Sequence, residues 1–276
     1  MHPDPLVIAD HITAWMREYC VSQERSGFVV GISGGVDSAV ASTLAARTGL
    51  PLLALSLPIH QAVAEVQRAH AHLAWLRQRH PQVQAQELVL DDHFDQLTSH
   101  FASFGHTGDP ALALVNTKSR LRLATLYYFA TLEERLVIGT GNKVEQRGVG
   151  FFAKYGDGGM DLSPLADLLK TEVNALGHAL GIEQSILDAP PTDGLWPDGR
   201  TDLDQIGATY PELEWAMDLR EHGVDTSVMD LSPRQREVLR IYDRRHADSR
   251  HKIGEAPKCS LPRGCAWPPD EAAPAG

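Results

Sequence analysis

Ser33-Gly34-Gly35-Val36-Asp37-Ser38 places two glycines, two hydroxyls and one carboxylate in six consecutive positions. It follows the apolar run from Gly27 to Ile32, which reads as a buried strand, and leads straight into a helical stretch from Ser38 to Arg47. Such a turn aims backbone N–H groups and the positive end of the helix at whatever lies above it, and phosphate answers both. Glycine lets the backbone come close, and serine adds hydroxyl donors. Gly31, Ile32, Ser33, Gly34, Gly35, Val36, Asp37 and Ser38 are therefore the candidate cradle. Asp37 would repel a bare phosphate, but it suits a Mg²⁺ ion that accompanies one. The plain alternative is a capped turn in which Asp37 only complements the helix dipole. No Lys-Ser/Thr pair closes the run, so it is not a Walker A sequence.

A second run, Gly139-Thr140-Gly141-Asn142-Lys143-Val144-Glu145, ends what reads as the fourth strand, Leu136–Gly139. In open parallel sheets ligands bind at that carboxyl edge. Taken alone, Glu145 reads as a solvated side chain; beside Asp37 it reads as a second carboxylate for the same Mg²⁺. Downstream lie Lys154-Tyr155-Gly156-Asp157-Gly158-Gly159-Met160-Asp161-Leu162-Ser163-Pro164, then Asp167 and Lys170. By composition this is either a surface loop capped before Pro164 or a built site.

The elements that position these residues alternate. The spacing predicts a helix over 6–24, strands over 27–32, 52–57, 87–90 and 136–139, and helices over 38–47, 62–79, 92–102 and 110–134 between them. That pattern predicts an α/β fold, an open parallel sheet flanked by helices on both faces, with additional C-terminal helices. Pro164 is expected to open a helix reaching Leu180, 188–201 to form a long mobile loop, and helices to resume over 203–221 and 233–248. Residues 1–252 are read as a single domain and 253–276 as a mobile Pro-rich tail.

The chain has 276 residues and a net charge of −11, which argues against a nucleic-acid partner bound through its phosphate backbone. The longest apolar run, near 49–59, is interrupted by Pro51 and Pro58 and is too short for a bilayer, and no signal-peptide pattern opens the sequence. A cytoplasmic protein is the expectation. Cys20, Cys259 and Cys265 form no CxxC and read as reduced thiols.

The Ser-Gly-Gly-x-Asp-Ser loop resembles the pyrophosphatase (PP) loop of the adenine-nucleotide alpha-hydrolase superfamily, whose members cleave ATP between its α and β phosphates and form adenylated intermediates. The run Gly-Thr-Gly-Asn-Lys…Glu…Gly-x-Phe-Phe-x-Lys-Tyr-Gly-Asp-Gly-Gly-x-Asp…Pro…Lys is similar to the hallmark of the NAD+ synthetase family. The resemblance extends from about residue 6 to Lys252 and, with no glutaminase domain, is to the short ammonia-dependent form. It implies ATP-dependent amidation of deamido-NAD+ by ammonia through an NAD-adenylate, with Mg²⁺, in a homodimer binding deamido-NAD+ across its interface. The apolar residues of the 110–134 helix agree with a dimer face, though a buried helix explains them nearly as well.

Position by position, the resemblance implies that residues 31–38, Thr140, Lys170 and Thr192 contact ATP and that Asp37 and Glu145 bind Mg²⁺. It implies that Arg120, Lys154, Asp161, His251 and Lys252 contact deamido-NAD+, and that Asp157 lies near the incoming ammonia. Catalysis is assigned to Asp37, Asp157 and Lys170. Two departures stand out: the family carries Arg where this chain has Ser56, and the Glu145-to-Lys154 spacing is one residue longer than usual. Two other readings compete: a different PP-loop adenylating ligase, and a sensor that holds ATP without chemistry. The paired carboxylates with Lys170 argue against the sensor.

Overall fold

The computed structural model describes residues 4–105 and 107–261. Helix α1 (Pro5–Ser22) precedes β1 (Phe28–Gly31), α2 (Val36–Arg47), β2 (Leu52–Ser56), α3 (Val63–Arg79), β3 (Val83–Glu87), α4 (Asp91–Ala102), α5 (Ala111–Leu132) and β4 (Leu136–Val137). The remainder carries α6 (Lys170–Ala179), α7 (Gln184–Leu187), α8 (Asp202–Ile206), α9 (Tyr210–Glu221) and α10 (Pro233–Ile253).

The strands form one parallel sheet in the order β3-β2-β1-β4. Side chains alternate across it. Phe28, Val30, Leu52 and Ala54 point into a core built with α1, α2, α3 and α6, while Val29, Leu53 and Leu55 meet α4 and α5 on the other face. Strands buried on both sides must be apolar throughout, so β1 and β2 were legible as continuous runs. Truncating a fully buried residue such as Leu53 to alanine costs about 2–5 kcal/mol. A separate apolar cluster (Val144, Val149, Leu213, Met217, Val238 and Tyr242 among it) joins α9 and α10 to the turn after β4.

Four expectations are corrected. The third strand lies at Val83–Glu87 rather than 87–90: it is the edge strand, half-exposed and rich in Gln, and the more apolar Leu88-Val89-Leu90 follows it. Pro164 opens only turns, and α6 starts at Lys170, where Glu172 reaches back to the Leu169 N–H. The 203–221 stretch is two helices, because Gly207 takes φ +90° to end α8 and Thr209 caps a new one. The 188–201 segment, expected to be mobile, is tied down: Lys118 Nζ donates to Leu195 O at 2.9 Å and Gln61 Nε2 to Gly194 O at 3.1 Å. Ile253 still belongs to α10 and 254–261 form no regular element; Cys265 and the rest of the expected tail lie outside the described residues. No helix among the described residues is long and apolar enough to cross a membrane.

Candidate active site

β2 lies on one side of β1 and β4 on the other, so the chain reverses its direction of winding at β1. The crevice at the carboxyl ends of β1 and β4 is where open α/β sheets hold ligands, and both sequence runs fall there. In the first, Gly34 has φ +85°, and a Cβ would run into the Glu65 carbonyl. Ser38 Oγ ties the loop together, accepting from Ser33 N at 3.2 Å and donating to Gly35 O at 3.0 Å. Gly35 precedes α2 with no side chain to cap the first turn, so those N–H groups remain for a ligand.

Beside the cradle, Lys170 Nζ contacts Asp37 Oδ2 and lies 3.5 Å from Glu145 Oε1. Lys170 is the first residue of α6 and only 5% exposed. Burial opposes its charge, yet the Asp37 and Glu145 carboxylates outweigh that and hold its pKa above the usual lysine range. Burial raises the Glu145 carboxyl, against the pull of Lys170. Asn142, fully buried, links the two acids: Nδ2 donates to Asp37 Oδ1 and Oδ1 accepts from Glu145 N, both at 3.2 Å. Tyr210 Oη bridges Glu145 Oε1 at 2.6 Å and Asp202 Oδ2 at 2.8 Å. Asn142, Tyr210 and Asp202 carried no role in the sequence reading. Asn142 lies within the quoted run; Tyr210 and Asp202 lie some sixty residues further on, with no local signal of their role.

The same cavity is lined by Thr140, Thr192, Asp157, Ser119 and Arg122. Asp157 Oδ1 accepts from Ser119 Oγ at 2.6 Å and from Ala153 N at 3.0 Å. Gly156 packs on Ser119, where a Cβ would collide with that side chain. Thr192 Oγ1 donates to Arg200 O at 3.1 Å and accepts from Gly194 N at 3.1 Å, a turn that holds the 188–201 segment over the cavity.

The five residues assigned to deamido-NAD+ lie outside this cavity. Three are linked directly, Arg120 Nε donating to Lys154 O at 3.2 Å and Lys154 Nζ to His251 O at 2.6 Å, while Lys252, next in the chain, donates to Phe152 O at 2.9 Å. Asp161 is exposed and separate, accepting from Val137 N at 2.7 Å and Tyr127 Oη at 3.0 Å. Residues Val144–Gly148, which carry Glu145, make a π-helical turn closed by Val149 N to Val144 O at 2.9 Å.

A glycine-serine turn between a parallel strand and an uncapped helix, facing paired carboxylates at the sheet's switch point, defines a PP-loop nucleotide-binding α/β protein. Comparison narrows the class. The family described as NAD synthase matches residues 8–256, and the chain belongs to it. The NH(3)-dependent NAD(+) synthetase of Carboxydothermus hydrogenoformans is 36% identical, over 74% of this chain and 82% of that one. That of Syntrophomonas wolfei is 37% identical, over 76% and 83%. The structure of NMN synthetase from Francisella tularensis superposes with a TM-score of 0.81 and 32% identity, covering 94% of this chain and all of that one.

Proposed function

We propose that this protein is an ammonia-dependent NAD+ synthetase, a ligase that makes NAD+, AMP and pyrophosphate from deamido-NAD+, ammonia and ATP. One observation carries the reading: the cradle, the Asp37–Lys170–Glu145 cluster and Asp157 open onto a single cavity. Residues 1–252 act as one domain, and a cytoplasmic homodimer with the pyridine dinucleotide at the subunit interface suits the position of Arg120, Lys154, His251 and Lys252 outside the cavity.

Carboxylates are poor acceptors for ammonia because oxide is a poor leaving group. In the proposed reaction a carboxylate oxygen of the nicotinate attacks the α-phosphorus of ATP. The bond to the β-phosphate oxygen breaks, and pyrophosphate leaves with the electron pair. Ammonia then attacks the acyl carbon, AMP leaves with the pair from the carbon–oxygen bond, and the surplus proton on the amide nitrogen passes to the departing phosphate oxygen. Cradle N–H groups and Lys170 neutralise the departing pyrophosphate. Asp157 binds ammonium and takes a proton from it, through the oxygen that Ser119 and Ala153 leave free.

The donor set fits Mg²⁺. Asp37 and Glu145 are hard oxygen ligands already converging on one cation, the Lys170 ammonium. Bound there, Mg²⁺ would screen the phosphate oxygens and orient ATP. Lys170 would move from Asp37 toward the phosphates.

Purified protein incubated with ATP, Mg²⁺, ammonium and deamido-NAD+ is expected to give NAD+ and AMP in equal amounts, and neither when one component is omitted. AMP and pyrophosphate without NAD+ would keep the ATP site and reject the acceptor. The likeness to the Francisella tularensis NMN synthetase favours a second acceptor, nicotinate mononucleotide, which presents the same carboxylate. Competition between the two acceptors in one assay ranks them.

A further inference from the structure

Arg122, on α5, reaches into the wall of the cavity. Nε donates to Leu57 O at 2.9 Å and Nη2 to Gln61 Oε1 at 2.6 Å. Both acceptors are neutral. Among the described residues no carboxylate lies within 4.0 Å of this guanidinium. The protein surrounds it closely enough that burial pulls its pKa down to about 10, opposed only by more distant carboxylates, Asp157 first among them. A half-buried cation with no carboxylate against it gives up part of its hydration without a charge to replace it, and such a cost persists where an anion is to arrive.

The other cation on the cavity wall is Lys170, already engaged by Asp37 and Glu145. Nearby Lys118 does not line the cavity and donates instead to the Leu195 carbonyl. Among the described residues Arg122 is thus the cavity-lining cation with no carboxylate against it. Its anchor, Leu57, directly follows Ser56, the position where the family resemblance calls for an arginine. Ser56 is buried and short at the end of β2, and the guanidinium from α5 comes to rest one residue further along.

On the proposed reaction, we infer that Arg122 is a catalytic residue whose guanidinium holds the α-phosphoryl oxygens of ATP and then of the acyl adenylate. The cradle and Lys170 take the pyrophosphate, which departs after the first step. The α-phosphoryl group stays through both steps, and it must lie between the cradle and the acyl carbon that ammonia attacks beside Asp157. As the nicotinate oxygen bonds to the α-phosphorus, charge builds on the equatorial oxygens that a planar guanidinium meets with two N–H groups. In the second step the same contact stabilises AMP as the leaving group. Gln61 orients the group: its amide nitrogen is committed to Gly194 O, which turns its oxygen toward Arg122.

The test measures pyrophosphate–ATP isotope exchange in the presence of deamido-NAD+, with nucleotide affinity and melting temperature for each variant. The wild type must first make NAD+; if it does not, the proposed reaction fails and not this inference alone. Arg122→Gln is expected to lose about 100-fold or more in exchange rate, well beyond its loss in ATP affinity, because the contact strengthens as charge builds on the α-phosphoryl oxygens. Arg122→Lys should recover little, since an ammonium cannot make the paired contact. Arg122→Ala should regain exchange when millimolar guanidinium is added, with its melting temperature unmoved. Exchange within roughly threefold of wild type in Arg122→Gln, or a well-folded Arg122→Ala that guanidinium does not rescue, overturns the assignment. Should Arg122→Gln not fold, Arg122→Lys and the rescue decide.

Discussion

Tyr210 and Glu145 are joined by a 2.6 Å hydrogen bond across 65 positions of chain, and the same phenolic oxygen lies 2.8 Å from Asp202. One hydroxyl therefore fixes the direction of a proposed metal ligand from α9, a helix packed on α6, α10 and the turn after β4. Partners behind a metal ligand typically matter by 10–100-fold in metal affinity. Tyr210→Phe keeps the packing of a residue that is 7% exposed but drops the hydroxyl. The Mg²⁺ concentration for half-maximal activity should rise at least roughly tenfold, while activity at saturating Mg²⁺ recovers in large part. An unchanged Mg²⁺ titration would show that Glu145 needs no such support.

Asp37 and Asp157 should separate the two half-reactions. Asp37→Ala removes a carboxylate from the nucleotide side of the cavity and is expected to abolish AMP and pyrophosphate formation. Asp157→Ala should still adenylate, so that AMP outruns NAD+ as the intermediate is lost to water. Equal loss at both steps in Asp157→Ala would sink its assignment to ammonia.

Ser119 holds Asp157 through a reciprocal pair: its Oγ donates to Oδ1 at 2.6 Å and accepts from Asp157 N at 2.9 Å. Ser119→Ala frees the carboxylate to turn. The KM for ammonium should rise several-fold with the KM for ATP unchanged. An equal rise in both would point to a general disturbance of the cavity.

His72, on α3 and fully buried, bonds Ser42 Oγ of α2 through Nε2 at 2.9 Å while Nδ1 has no partner. Burial lowers its pKa from 6.5 to about 4. The unfolded chain thus takes up this proton before the folded one does. The stabilisation is complete above pH 6.5 and is lost as pH falls toward 4, at most about 3 kcal/mol from this residue. Urea midpoints measured between those pH values should fall for the wild type and fall less for His72→Gln. Parallel slopes would contradict it.

How much was legible follows from what each element must bury. β1 and β2 lie inside the sheet and must be apolar on both faces, so their runs marked them within a residue. β3 sits at the edge with Gln84 and Gln86 facing outward, and its own sequence hides it. In the site, the cradle announced itself because a strand-to-helix turn is local. The Asp202–Tyr210 support did not, because it exists only once α8 and α9 fold against the turn after β4. Arg122 was invisible for a related reason: on a helix it looks like any surface charge until β2 places the Leu57 carbonyl beneath it.

The ties at the end of α10 carry a thermodynamic consequence. Lys154 spends its ammonium on the His251 carbonyl, and Lys252 spends its own on the carbonyls of Gly150 and Phe152. Each lysine belongs to one segment and its acceptor to the other, so the two segments hold each other by exchange. Each ammonium keeps at least one N–H beyond these bonds, so an anion arriving at either lysine would meet a donor already anchored to the opposite segment. Occupancy at this corner would then be linked to the attachment of the last helical turn: an anion that favours the anchored lysines would also favour the anchored helix.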